Sequence, residues 1–532
     1  MLFTQCQENA INKIEEFLLD KNENIMIIEG SAGTGKSTII SSFQNKRKDL
    51  NFVYSAFTNK AVKVLKEMDN KNICMTLSKF FNLNIEYTRD NMPYNVSKGI
   101  GSRHNNKILV IDEISMISEE LYNIIIEEGK NIKIICLGDR CQLPPIYKIK
   151  TINQDEDDTV GTESDDEEKI GSMTVEKLSP FFTDKKYMSL LKEIKRTDNE
   201  DLKNLYAIFK QYTLDENTDN FKINLLEFKK LNISPNIKIE TCKNHFSEQI
   251  NKHIDKKNAY VICAKNNTVN EYVKNIKEKL YPNSQYPFNP GECIYITKYF
   301  QFDNDLNCNC TYGDNKPSKF CNKNVFNTSE EYKIKSSNKV NLHSEYFNAS
   351  YECYEYEINY ILHSGKFLKI RTICESSIVL FKKNLIVKEN EIKKFLKENL
   401  NENPSKLWRE LKYYKNYFQS PFTSSIAITA YKSQGSTYDY VFVDGSDIEQ
   451  CRRTTFLKTK ELYTAITRTR KYICIFIELE NKYTEIPSNI LKCTRCRCWR
   501  KHTQFRLNKK GIFVKTCVIC ADKALVKRNL LL

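Results

Sequence analysis

The 532-residue chain has 40% hydrophobic and 28% charged residues and a mean hydropathy of −0.55, the balance of a soluble globular protein. It exceeds what one core supports and is expected to divide into about three to five units. No apolar run approaches the roughly 18 residues of a membrane span, and Met1-Leu2-Phe3-Thr4-Gln5-Cys6 has no basic stretch leading into an apolar core, so neither a membrane partner nor a signal peptide is expected.

The formal charge of +15 becomes +24 once the nine acids between Asp155 and Glu168 are set aside, an excess that suits a polyanionic partner through counterion release. Most of the 19 cysteines stand singly in apolar runs, as Cys136 and Cys263 do. They read as small buried hydrophobes in a reducing intracellular compartment, cytoplasmic or nuclear.

In chain order, apolar runs at 25–28, 52–55, 108–111 and 132–137 predict buried parallel strands, with helices over 36–43 and 59–68. Segment 81–107 is polar, contains Pro93, Gly99 and Gly101, and predicts a small protruding hairpin. Segment 151–172 is acidic and of low complexity and is expected to be disordered. The alternation resumes with strands at 260–263, 425–429, 441–444 and 472–477 and helices at 268–280 and 458–467. Between them, 291–419 is rich in Tyr and β-branched residues and predicts a mostly β insertion. Its Cys308, Cys310 and Cys321 match no common metal-site spacing. The fold class is therefore α/β with two parallel-sheet units.

Gly30-Ser31-Ala32-Gly33-Thr34-Gly35-Lys36-Ser37, followed by Thr38, fits the phosphate-binding pattern G-x-x-x-x-G-K-[ST] between an apolar strand and a helix. The glycines let successive N–H groups face phosphate oxygens, and the helix adds its positive end. Lys36 is expected to reach the β- and γ-phosphates of ATP, and Ser37 to ligate Mg²⁺. The run 108–111 ends in Asp112 and Glu113. The first acid is the candidate Mg²⁺ partner and the second the general base for the attacking water.

Near the C-terminus, Cys493-x₂-Cys496 and Cys517-x₂-Cys520 fall within zinc-ribbon spacing, expected to hold Zn²⁺ or else to remain unligated or redox-active thiols. A region this small needs a metal to fold. Residues 490–532 carry twelve Lys/Arg and one acid, with Trp499 and Phe505 among them, so the ribbon is expected to bind nucleic acid or a protein partner.

Further segments follow in a fixed order: Gln7-Glu-Asn-Ala10, Ala56-Phe-Thr58-Asn-Lys-Ala61, Met75-Thr76-Leu-Ser78, Leu137-Gly-Asp139-Arg-Cys-Gln142-Leu-Pro-Pro145, Ser179-Pro-Phe-Phe-Thr183 with Lys195-Arg196, Tyr431-Lys-Ser-Gln434-Gly435-Ser-Thr437, and Tyr463-Thr-Ala-Ile-Thr-Arg468. With the phosphate loop and Asp112-Glu113 they resemble superfamily 1B helicases of the RecD-like and Dda-like kind, over roughly residues 3–480. Ser78 and Tyr431 stand where relatives often carry His.

The resemblance implies two RecA-like motor domains, 1A over 1–200 and 2A over 201–290 plus 420–485, with a 2B-like insertion over 291–419; the added ribbon, expected at 488–525, lies outside it. It implies that Gln7 reads adenine, that Asp139 and Gln142 sit beside the γ-phosphate with Gly435 also near the nucleotide, and that Arg196 and Arg468 are arginine fingers from the second motor domain. It also implies that Thr58, Thr76, Ser433 and Thr437 contact phosphates of the tracked strand. The hairpin becomes a duplex-splitting pin with Tyr87 or Tyr94 at its tip, and movement is 5′→3′.

The expected function is thus an ATP-dependent, monomeric helicase acting on single-stranded DNA and forks, with RNA possible and DNA replication or repair as its setting. A translocase that remodels RNA or protein–nucleic acid complexes without strand separation is the alternative. A nucleic-acid scaffold with a vestigial ATPase is disfavoured by the intact Lys36, Asp112, Glu113, Gln142, Arg196 and Arg468. The compact plan and the composition suggest a viral origin and a viral replication compartment. The acidic insert reads as a tolerated loop expansion or as a mimic that competes with DNA for the basic groove.

Overall fold

A computed structural model describes residues 3–68, 73–87, 89, 93–97, 99, 107–145, 177–214, 234–303, 323–360, 367–399, 401–478 and four short strands between 490 and 517, apart from positions 184, 257, 327, 329 and 452. The acidic segment, Cys308, Cys310, Cys321, Cys493, Cys496 and Cys520 lie outside the described residues. Among the described residues no helix is long and apolar enough to cross a membrane.

The first unit contains β1 (Ile25–Gly30), β2 (Phe52–Ala56), β3 (Ile73–Thr76), β4 (Leu83–Tyr87), β5 (Pro93–Ser97), β6 (Ile108–Asp112), β7 (Lys133–Gly138) and β8 (Tyr187–Leu191). Six of them form a parallel sheet in the order β3-β2-β6-β7-β1-β8, while β4 and β5 leave it as a separate antiparallel hairpin. The strands are apolar on both faces because both faces are covered. One face packs helices Gln5–Leu19, Lys36–Lys46 and Asn59–Met68 through Phe17, Ile40, Phe43 and Val62. The other buries Phe80, Phe81, Ile114, Ile125 and Phe181.

The second unit opens with helix Glu200–Leu214, β9 (Ile237–Glu240) and β10 (Ala259–Cys263). The chain then departs into β11 (Cys293–Ile296), β12 (Phe300–Asp303), β13 (Lys323–Phe326), β14 (Glu331–Ser344), β15 (Ala349–Tyr360), β16 (Phe367–Ile373) and β17 (Phe422–Ser424). Five of these make an antiparallel sheet in the order β16-β15-β14-β11-β17.

Two details depart from the sequence reading. The insertion carries two helices, Glu375–Glu398 and Pro404–Phe418, whose Phe381, Trp408, Leu411 and Phe418 close its core. It also ends at Ser424 rather than 419, because Ile294 pairs with Ser424 and Ile296 with Phe422.

The chain returns through β18 (Ala427–Thr429), β19 (Tyr438–Asp444) and β20 (Thr469–Phe476), completing a parallel sheet β18-β10-β19-β20-β9. Two antiparallel pairs follow, β21 (Ile490–Lys492) with β22 (Trp499–Lys501) and β23 (Phe505–Leu507) with β24 (Phe513–Cys517).

Candidate active site and nucleic-acid face

The phosphate loop joins β1 to helix Lys36–Lys46. Gly33 and Gly35 hold φ of +81° and +83°, which a side chain would resist, and a Cβ on Gly33 would meet Arg196 Cβ at 2.3 Å. The helix starts at Gly35 without a side-chain cap, so its first N–H groups are left for an anion. Lys36 Nζ donates to Gly30 O (2.7 Å) and Ser31 O (3.2 Å). Burial pushes its ammonium below the usual lysine range, against the pull of Asp139, Glu113 and Asp112. Ala32 and Thr34 are buried in the loop, Thr34 Oγ1 donating to Ser31 O, and Thr38 follows Ser37 in the first helical turn.

Gln7 is engaged at both ends of its amide. Its Nε2 donates to Thr34 O (3.1 Å) and its Oε1 accepts from Thr4 N (3.0 Å), within a capping box that starts the first helix. Here it braces the loop.

Ser37 Oγ donates to Asp112 Oδ2 at 3.3 Å. The pair offers the hard oxygen donors that Mg²⁺ takes alongside phosphate, so the residues present fit a MgATP site. Burial, with Glu113 beside it, raises the Asp112 carboxyl to about 6. Glu113 holds φ +58°, a left-handed conformation costing a non-glycine residue roughly 1 kcal/mol, and turns the chain sharply after β6.

The second unit closes on this edge. With its amide nitrogen toward Glu113 Oε2 (3.1 Å), Gln142 presents its oxygen to Arg468 Nη2 (3.3 Å), an arrangement assigned from the hydrogen-bond network. Arg468 is fully buried and donates to Thr464 O (3.0 Å), Ser436 O (3.3 Å) and Thr467 Oγ1 (3.3 Å). Asp139 Oδ2 accepts from Tyr463 O–H at 2.9 Å, and Gln434 Nε2 donates to Ser115 Oγ at 2.8 Å. Leu143 N donates to Thr464 Oγ1 (3.2 Å), so units far apart in sequence share one cleft.

Arg196 follows β8 of the first sheet rather than lying within the second unit, packs on Gly33 and donates to Thr467 O. Burial, then the nearby Arg468, pushes its guanidinium down to about 10. Gly435 (φ +77°) lies against Ala61 of the first unit. Tyr463 and Gln434 belong to segments 463–468 and 431–437, where residue type alone gives neither of them a role. Lys210, whose Nζ donates to Ser31 Oγ, had no local signal at all.

The residues assigned to the strand divide. Thr58 Oγ1 accepts from Ala61 N (3.2 Å) and Thr76 Oγ1 from Lys79 N (3.3 Å), so both hydroxyls cap short helical starts. Ser433 is fully buried and donates to Ala430 O (2.7 Å), which removes it from the surface as it stands. Thr437 is half-buried just before β19.

Tyr87 ends β4, and it is docked rather than free. Its N–H donates to Ser405 Oγ (2.8 Å), and Lys412 Nζ lies 4.0 Å from its ring centroid. Arg409 pairs with Glu86 (3.3 Å) and Arg89 donates to Leu396 O (2.6 Å), so the insertion's helices grip the hairpin. Tyr94 lies in β5, paired with Glu86; its side chain is outside the described residues.

Among the described residues no group of three or more His, Cys, Asp or Glu stands where it could hold a metal. Of the expected zinc ligands, only the backbone of Cys517, at the end of β24, is described.

Residues 14–148 match an AAA domain family, and residues 424–475 match the UvrD-like helicase C-terminal domain. The chain is similar to RecBCD enzyme subunit RecD of Buchnera aphidicola subsp. Schizaphis graminum (27% identity over 85% of this chain and 70% of that protein). It is also similar to uncharacterized protein R530 of Acanthamoeba polyphaga mimivirus (26% over 90% of this chain and all of that one). Among solved structures, Bacteroides Pif1 bound to ssDNA is 16% identical, with a TM-score of 0.43 over 92% of this chain and 95% of that one. Candida albicans Pif1 is 15% identical, with a TM-score of 0.38 over 91% and 98%. The two domain matches and the RecD similarity support a nucleic-acid helicase of superfamily 1.

Proposed function

We propose that the chain is a DNA helicase that hydrolyses MgATP and steps 5′→3′ along single-stranded DNA. The observation that carries this reading is the shared cleft, where Gln142, beside Glu113, meets Arg468 and Asp139 meets Tyr463 across the two units. MgATP would be held by residues 30–38 with Ser37 and Asp112, and bound metal would supply charge neutralisation at the phosphates.

Glu113 takes a proton from the attacking water in this reading, which is supported by the Gln142 amide 3.1 Å from its Oε2. Arg468 and Arg196 bring positive charge to a site whose closure excludes water, and that closure requires both units. The direction and the DNA substrate are supported by the RecD-like and Dda-like resemblance. The experiment is unwinding of DNA and RNA duplexes that carry a 5′ or a 3′ single-stranded tail. The reading expects opening of the 5′-tailed DNA with ATP; strand-stimulated hydrolysis without any opening would instead select the translocase.

We also infer one zinc ion on Cys493, Cys496, Cys517 and Cys520. Its support is the C-x₂-C spacing, with Cys517 at the end of β24. Metal analysis of the purified chain should find one zinc, lost in Cys517→Ser.

A further inference from the structure

Lys210 lies outside every recognisable motif, near the end of helix Glu200–Leu214, yet its ammonium donates to Ser31 Oγ at 2.8 Å. Ser31 is the second residue of the phosphate loop and only 3% exposed. Lys36 holds the same residue by its carbonyl, at 3.2 Å. Two ammonium groups, one from each unit, thus bracket a single residue of the loop that cradles phosphate.

Lys210 has no carboxylate partner among the described residues. The nearby Asp139 is occupied by Tyr463 O–H (2.9 Å) and Cys141 N–H (3.1 Å). A neutral hydroxyl is a weak station for an ammonium. A phosphate oxygen adds a full opposite charge that the hydroxyl lacks, and a lysine's four-carbon stem lets the head move between the two.

We propose that Lys210 is a phosphate-binding residue of the ATP site supplied by the second unit, parked on Ser31 Oγ and transferred to the terminal phosphate of bound ATP. This rests on the reading of the chain as an ATP-driven motor. It gives the cleft a trans-acting cation besides Arg468, and one that reports on the third phosphate alone. A strut that merely joins the units would make the same bond to Ser31 but would be indifferent to which nucleotide is bound.

The test is the affinity of the full chain, with Mg²⁺, for a fluorescent non-hydrolysable ATP analogue and for fluorescent ADP. Lys210→Ala is expected to weaken the ATP analogue roughly ten-fold or more while changing ADP less than about two-fold. Lys210→Arg should retain most of the preference. Lys210→Gln keeps a donor for Ser31 without the charge, so it should behave like Lys210→Ala and also serves if the alanine variant misfolds. Equal losses for both nucleotides, or a Lys210→Gln chain indistinguishable from wild type, would overturn the proposal. A wild-type chain that neither binds nor hydrolyses ATP would instead defeat the motor reading itself.

Discussion

Protonation within the cleft decides what single substitutions do there. Asp112 is held near 6 in the folded chain, above its unfolded value, so the folded state binds that proton more tightly. The charged form therefore costs stability, a cost absent below about pH 4 and complete above about pH 6. Asp112→Asn is expected to abolish hydrolysis yet raise the melting temperature of the nucleotide-free chain by roughly 2 °C at pH 7.5. The gain should vanish when both proteins are melted near pH 4, provided the fold survives there.

Tyr463→Phe should do the reverse. It strips Asp139 of a buried donor, costing about 1–3 kcal/mol in denaturant unfolding and lowering ATP turnover. Lys36, Asp112 and Glu113 were legible because phosphate chemistry demands them at fixed local spacing. Tyr463 and Lys210 were not, since their partners lie 324 and 179 residues away and no local pattern records such a meeting.

At the level of elements, the hairpin β4–β5 is the informative case. Its position and its turn-forming residues could be read from composition, but its attachment could not. Ser405, Arg409 and Lys412 reach it from a helix more than 300 residues downstream. If the hairpin splits duplexes, it must resist being pushed aside, and this grip supplies the resistance. The double substitution Ser405→Ala with Lys412→Ala should therefore slow fork unwinding several-fold while strand-stimulated ATP hydrolysis stays within about two-fold of wild type. Equal slowing of both activities would assign the contact to general stability.

The insertion's two helices lie in the later part of a segment rich in Tyr and β-branched residues, which favour strands. Residues 375–398 contain neither Gly nor Pro, and Asn403-Pro404 marks a helix start that could have been seen.

Across the whole molecule, two parallel sheets follow from the alternation of short apolar runs with helical stretches, and both are present. Their closure over one cleft was expected only through the family resemblance, because the orientation of separate units is set by surfaces that carry no period. Charge acts at this scale too. If the segment around Asp155–Glu168 competes with DNA for the basic remainder of the chain, removing residues 152–170 should tighten single-strand binding at low salt. The difference should shrink as salt rises. Unchanged affinity at low salt would leave the segment as a tolerated loop expansion.

The doorway of the insertion has a consequence for ancestry. Its entry strand β11 and exit strand β17 are bonded side by side, and Thr297 N donates to Pro421 O at 2.8 Å. The two points where the chain leaves and rejoins are thus already neighbours, a short turn apart. A deletion between them could be sealed without disturbing the parallel sheet behind, and an addition there would stretch nothing. Such a junction behaves as a splice site at the level of protein architecture, allowing the outer module to be exchanged, enlarged or lost in one genetic event while the engine beneath is inherited intact.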